Sequence, residues 1–142
     1  MTGIIKKQLQ EKINNLLEIY QSLKKLQRLA LKDLNGDNIE NVWAVTFGLV
    51  AGIEAILDIS QYVLTDKGMK VESYGKIPEK LIEAKIIDKN FSAKMQKIIG
   101  FRNRAIHNYP SLEENQIYQI LQKDIEDFKE FLEIIRNYLK TK

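Results

Sequence analysis

Between Val42 and Leu64 the chain reads VWAVTFGLVAGIEAILDISQYVL, and Glu54 and Asp58 are the only charged residues in the run. A proline-free stretch of this length reads as helix. A helix apolar nearly all the way round is either buried on several sides or immersed in lipid. Lipid suits it poorly, because each carboxylate near a bilayer centre costs about 2.5 to 3.5 kcal/mol on insertion scales and Gln61 adds to that. The segment is therefore expected to be the central helix of a bundle, with no membrane involved. Ala44, Gly48, Ala51, Gly52 and Ala55 form a ridge along it where another backbone can approach closely. That ridge suits either tight packing within one chain or a seam between two copies.

Glu54 and Asp58 stand four residues apart, so both side chains project from one face of the helix. An unpaired buried charge is very costly, so on a largely buried helix these carboxylates need cationic or hydrogen-bonding partners. Arg102 and Arg104 are the first candidates; the alternative is an exposed acidic strip between packed faces. The spacing by itself does not make a metal site, since no histidine or cysteine lies near in sequence to complete one.

The rest of the chain is helical in pattern. Ile5, Leu9, Ile13, Leu16, Leu17, Tyr20, Leu23, Leu26 and Leu31 recur near helical period and predict a first helix over about residues 3 to 32. Asn35, Gly36 and Asp37 make a turn, and Asn38 with Asn41 forms a capping region for the central helix. After a loop over residues 65 to 77, Pro78 suits the first turn of a short third helix to about residue 87. A fourth helix starts near Phe91, with Phe91, Met95, Ile98 and Ile99 facing inward. A fifth runs from about Glu113 to Lys140 on a stripe from Ile117 to Leu139. The prediction is an all-α, up-and-down bundle of about five helices in a single domain spanning residues 1–142.

Composition narrows the setting. The chain has 142 residues, enough for one core, and no cysteine, which excludes disulfides and thiolate metal sites and favours an intracellular protein. The N-terminal MTGIIKKQLQEK lacks the apolar run and cleavage site of a secretory signal, so a cytoplasmic location is expected. A net charge of +3 leans only slightly toward an anionic partner such as RNA.

The fourth helix ends in GFRNRAIHNYP, Gly100 to Pro110, which contains the only histidine. Continuing the inward stripe past Ile99 lands on Arg102 and then Ile106, so an arginine stands where a hydrophobe is expected. Such an arginine either partners a buried acid or is held in a cleft to grip an anion. On an ideal helix His107 lies about 140° round from Arg102 and about 7.5 Å along the axis, so the two do not share a face. Asn103 and Arg104, by contrast, can both touch His107. Pro110 biases Tyr109 away from helical dihedrals, so the helix should stop between His107 and Tyr109. Either a local distortion swings the imidazole toward the arginine, or two subunits each lend an arginine and a histidine to one shared cleft. Arginine, histidine and a neighbouring amide suit metal-independent RNA cleavage. In that reaction imidazole moves protons at the 2′-hydroxyl or leaving oxygen, and guanidinium stabilises charge on phosphate.

Arg102 to Tyr109 matches an R-x4-H-x-Y motif, and here the chain resembles the HepT-like toxins of the HEPN-domain family. The likeness extends over most of the chain. It includes the apolar helix with Glu54, Ala55, Asp58 and Ile59, the Tyr74 loop, the short helix near Ile77 to Ile87, and Gly100 to Arg104. The resemblance implies an all-helical homodimer in which Arg102 and His107 of both protomers line one cleft. Asn103 is then the polar residue following the motif arginine, with Arg104, Glu54 and Asp58 in support. It implies a metal-independent endoribonuclease that needs no cofactor, acting as the toxin of a type VII toxin–antitoxin pair. The implied partner is an MNT nucleotidyltransferase antitoxin, which neutralises the toxin by attaching AMP to the motif tyrosine, Tyr109. AMP there would set a phosphate and a base at the mouth of the RNA cleft. The alternative within the same fold is a module that binds RNA, nucleotide or a protein partner without turnover.

Overall fold

The computed structural model describes residues 2–141, which form an all-helical bundle. Helix α1 spans Gly3–Leu26, α2 Ile39–Asp66, α3 Ile77–Glu83 and α4 Lys89–His107. The last rod is α5, Glu114–Gln119, continued through one π-helical turn, Ile120–Asp124, into α6, Ile125–Lys140. The predicted five rods are present, the fifth divided by its π turn.

Each boundary has a local cause. Thr2 caps α1, its hydroxyl accepting from the Ile5 amide at 3.2 Å. Helix α1 ends at Leu26, short of the predicted residue 32, because Gln27 is taken up by the last rod. Its Nε2 donates to the Leu121 carbonyl at 2.9 Å, while Gln122 Nε2 returns a bond to the Gln27 carbonyl at 2.9 Å. A π turn leaves carbonyls outside the regular ladder, and here Gln27, just past the end of α1, collects one. Asp33 then closes a short turn by accepting from the Ala30 amide at 2.8 Å.

The capping region of α2 differs from expectation. Asn38 holds the cap position without a side-chain bond to the helix, its amide donating instead to the Lys32 carbonyl and Asn35; Asn35 accepts from the Asp37 amide, and Asn41 donates back to the Asp33 carbonyl. Pro78 sits in the first turn of α3 as predicted, but α3 stops at Glu83, four residues early, where Lys85 takes a left-handed φ of 60°. Asp88 caps α4, accepting from the Phe91 amide at 2.8 Å, and so starts it at Lys89.

Helix α2 is the centre of the packing. Val45, Leu49, Ile53, Ile56, Leu57, Ile59, Val63 and Leu64 are buried beneath α1, α3, α4 and α6. The small-residue ridge divides. A Cβ at Gly52 would lie 2.5 Å from Phe128 Cε2, and one at Gly48 3.0 Å from Leu23 Cδ2, so both glycines serve contacts within the chain. Ala44, in contrast, is exposed. The apolar surface left open on α2 consists of Ile39, Trp43 at 58 % exposure and Phe47 at 76 %. By length and composition this helix could cross a bilayer, yet half of its most apolar window is buried inside the bundle.

Gly52→Val should therefore destabilise the fold by about 1–3 kcal/mol through overpacking against Phe128. Gly100→Ala, where a new Cβ meets nothing within 4 Å, should add up to about 1 kcal/mol from helix propensity. Urea midpoints at unchanged slope are the measurement; equal effects from the two variants would contradict this packing.

Candidate active site

Helices α2 and α4 pack together, and the contacts between them set the site. Arg102 lies one turn past Ile98 and Ile99 on the side of α4 that faces α2, with its side chain only 13 % exposed. Its Nε donates to Glu54 Oε1 at 2.6 Å, and the Glu54 side chain is 37 % exposed. Its Nη1 donates to Asn103 Oδ1 at 2.9 Å. The guanidinium lies over the ring of Tyr74, 4.9 Å from the centroid, on a 3-10 turn, Tyr74–Lys76, that leads into α3. Of the five N–H donors on a guanidinium, Glu54 and Asn103 take one each, and those on Nη2 have no partner among the described residues.

The other predicted partnerships differ. Asp58 pairs with Lys12 Nζ of α1 at 2.6 Å rather than with an arginine. This hydrogen bond holds the Lys12 pKa above its ordinary 10.5, and Lys12 also lies 4.9 Å from the Tyr62 ring centroid. Arg104 is exposed in the last turn of α4 and makes no ion pair among the described residues, so it partners neither acid. Lys12 was the cation missed in the sequence. It directly precedes the buried Ile13, a position at the edge of a packed face where a long side chain reaches across to the next helix.

The inward stripe of α4 also ends differently. Phe101, absent from the predicted set, is fully buried, whereas Ile106 is 47 % exposed. Once Phe101 joins the core, the stripe turns away from Ile106, and no further helix covers that side.

His107 is the last residue of α4 and exposed. The amide of Asn108 still reaches the Arg104 carbonyl at 2.9 Å, so helical bonding persists through His107. The distortion that would swing the imidazole toward Arg102 within one chain is absent, and the separation of about 140° stands. Tyr109 opens the 3-10 turn Tyr109–Ser111, at 38 % exposure. Its ring borders a hollow of about 180 Å³ shared with Ile39 and Val42 of α2. Helix α4 thus runs back along α2 from Glu54 toward Ile39. Between these points lie Ile106, Trp43 and Phe47, all exposed. Beside Glu54 opens a cleft of about 600 Å³ whose walls include Phe47, Asn15, Asp58 and Tyr74.

An all-helical bundle whose fourth helix carries arginine and histidine on different sides, with a tyrosine in the turn that follows, is the arrangement expected of a HepT-like ribonuclease. Comparison with known proteins agrees, and the chain belongs to the ribonuclease HepT-like family, whose model matches residues 9–135. It is 24 % identical over 94 residues to the mRNA nuclease HepT of Shewanella oneidensis, a match covering 66 % of this chain and 71 % of the relative. Its fold is similar to that of the tri-AMPylated HEPN toxin of the same organism in complex with MNT antitoxin. That match has a TM-score of 0.82 and 22 % identity, covering 96 % of this chain and 99 % of the other. It is also similar to the cytosolic protein YutE of Bacillus subtilis, of unknown function, with a TM-score of 0.76 and 20 % identity over 93 % of this chain and 91 % of the other. The expected family, all-helical fold and ribonuclease class are borne out.

The two acids of α2 should separate on mutation. Glu54→Ala strands a mostly buried guanidinium and should cost about 1.5–3 kcal/mol, the worth of a hydrogen bond to a charged group. Asp58→Ala breaks a pair that is 32 % and 47 % exposed and should cost less than about 1 kcal/mol. Thermal denaturation of both variants checks the order; a larger loss at Asp58 would contradict it.

Proposed function

We propose that this protein is the toxin of a HEPN/MNT toxin–antitoxin pair, an endoribonuclease that needs no metal and works at a cleft formed across a homodimer. The observation that carries the reading is the placement of Arg102 and His107 on different sides of one regular helix, next to an uncovered apolar face. Within one protomer the two groups diverge. A second copy laid over Trp43, Phe47 and Ile106 buries that face and brings a second arginine and histidine to the same cleft.

The chemistry assigns each group a role. His107, exposed at a helix end, moves the proton between the 2′-hydroxyl of RNA and solvent or the leaving oxygen. Arg102 is held at its Nε edge by Glu54 and presents its Nη2 donors to the phosphate as charge builds on the oxygens. Asn103 steadies the same guanidinium through Nη1. Arg104, exposed one turn before His107, is placed to attract the RNA backbone. Glu54 supports Arg102 directly, and Asp58 supports the α1 side of the cleft through Lys12.

Tyr109 is the residue that the nucleotidyltransferase antitoxin modifies. Its turn is fixed by Pro110 and its side chain is open to solvent two residues past His107. AMP on its hydroxyl adds negative charge and bulk where the RNA backbone must enter. The family's AMPylated toxin structure supports this reading, and the cytosolic relative supports a cytoplasmic site of action.

Purified protein should cleave RNA in the presence of chelator. His107→Ala and Arg102→Ala should each lower the rate by about 100-fold or more, the scale of a general base or of an electrostatic donor, with helicity and dimer unchanged. Wild-type protein that leaves RNA intact at high concentration would overturn the proposal. After co-expression with the nucleotidyltransferase, intact mass should rise by one or more AMP units, and Tyr109→Phe should abolish the rise. A persistent rise in that variant would move the modification to another residue.

A further inference from the structure

The guanidinium of Arg102 meets three groups, and only two of them hold it by hydrogen bonds. Glu54 holds Nε, and Asn103, an exposed neighbour on the same helix, takes one hydrogen of Nη1. A guanidinium held at Nε and Nη1 can still tilt about the line joining those two bonds, and the tilt carries the Nη2 donors with it. The third group is the ring of Tyr74: the guanidinium carbon lies over that ring, 4.9 Å from its centroid, so the ring bounds the tilt on that side. Tyr74 arrives from a separate part of the chain, a turn packed at the start of α3, and its ring is half-buried against the core. Its hydroxyl makes no hydrogen bond among the described residues, so what it supplies to the site is the ring face.

We propose that Tyr74 is a positioning residue for RNA cleavage: its ring sets the plane of the Arg102 guanidinium so that the Nη2 donors point at the reacting phosphate. This rests on the ribonuclease reading given above. The negative face of an aromatic ring attracts a guanidinium, and Trp, Tyr and Phe all supply such a face. The plane matters most when charge accumulates on the phosphate oxygens, so its loss falls on kcat and leaves KM nearly unchanged.

The experiment is single-turnover and steady-state cleavage of one RNA by wild type, Tyr74→Phe, Tyr74→Trp and Tyr74→Leu. Tyr74→Leu should lose about 2- to 30-fold in kcat, the range that cation–π attraction spans, while Phe and Trp retain wild-type rates. Fluorinated phenylalanines at position 74 keep the ring's size while weakening its negative face, and should lower kcat stepwise with fluorine content. This series also decides the matter if Tyr74→Leu fails to fold. Wild-type kcat in both Tyr74→Leu and the fluorinated series, or a loss in Tyr74→Phe as large as in Tyr74→Leu, would overturn the positioning role alone. A wild type that leaves RNA intact would overturn the ribonuclease reading and this role with it.

Discussion

The architecture depends on one constraint: a long helix almost devoid of charge has to be hidden from water along most of its surface. Helix α2 meets that requirement by running through the middle of the bundle, with α1 and α6 close enough that Gly48 and Gly52 have no room for a side chain. Burial of α2 organises the other helices around it, and the two carboxylates it carries decide where cations must come. Glu54 draws Arg102 from α4, and Asp58 draws Lys12 from α1. A guanidinium that a core stripe would otherwise exclude is thereby held beside an open cleft.

Shielding of α2 is incomplete, and its gap coincides with the motif. Trp43 and Phe47 stay exposed on the N-terminal half of α2, where α4 passes with Ile106, His107 and Tyr109. Large apolar side chains grouped beside polar chemistry mark an interaction surface more often than scattered exposed hydrophobes do. The exposed apolar patch thus adjoins the proposed catalytic groups, and the proposed second copy would cover it.

Much of this was legible in the sequence, for identifiable reasons. Helical period located the first, fourth and fifth rods, the uniformly apolar run the second, and Pro78 after a loop the third. The pairing of Arg102 with Glu54 followed from the cost of leaving a charge unpaired on a buried helix. What escaped were features set by tertiary contact. The Gln27 and Gln122 exchange that ends α1 joins residues 95 apart, and no local signal links them. Asp58 chose Lys12 because the neighbouring helix offered a nearer cation than Arg104. Ile106 fits the stripe by spacing, yet no element lies beyond it, so periodicity alone predicted a burial that one protomer does not supply. Tyr74 could be noticed in a loop, but not its position against a guanidinium from another helix.

The central claim is that arginine and histidine from different protomers act together. Co-expressing Arg102→Ala with His107→Ala and isolating the mixed dimer tests it directly, since such a dimer retains one intact arginine on one subunit and one intact histidine on the other. The account predicts that the mixed dimer regains RNA cleavage that neither homodimer shows. A mixed dimer as inactive as its parents, with wild-type dimers active beside it, would place the whole reaction within one protomer and contradict the account.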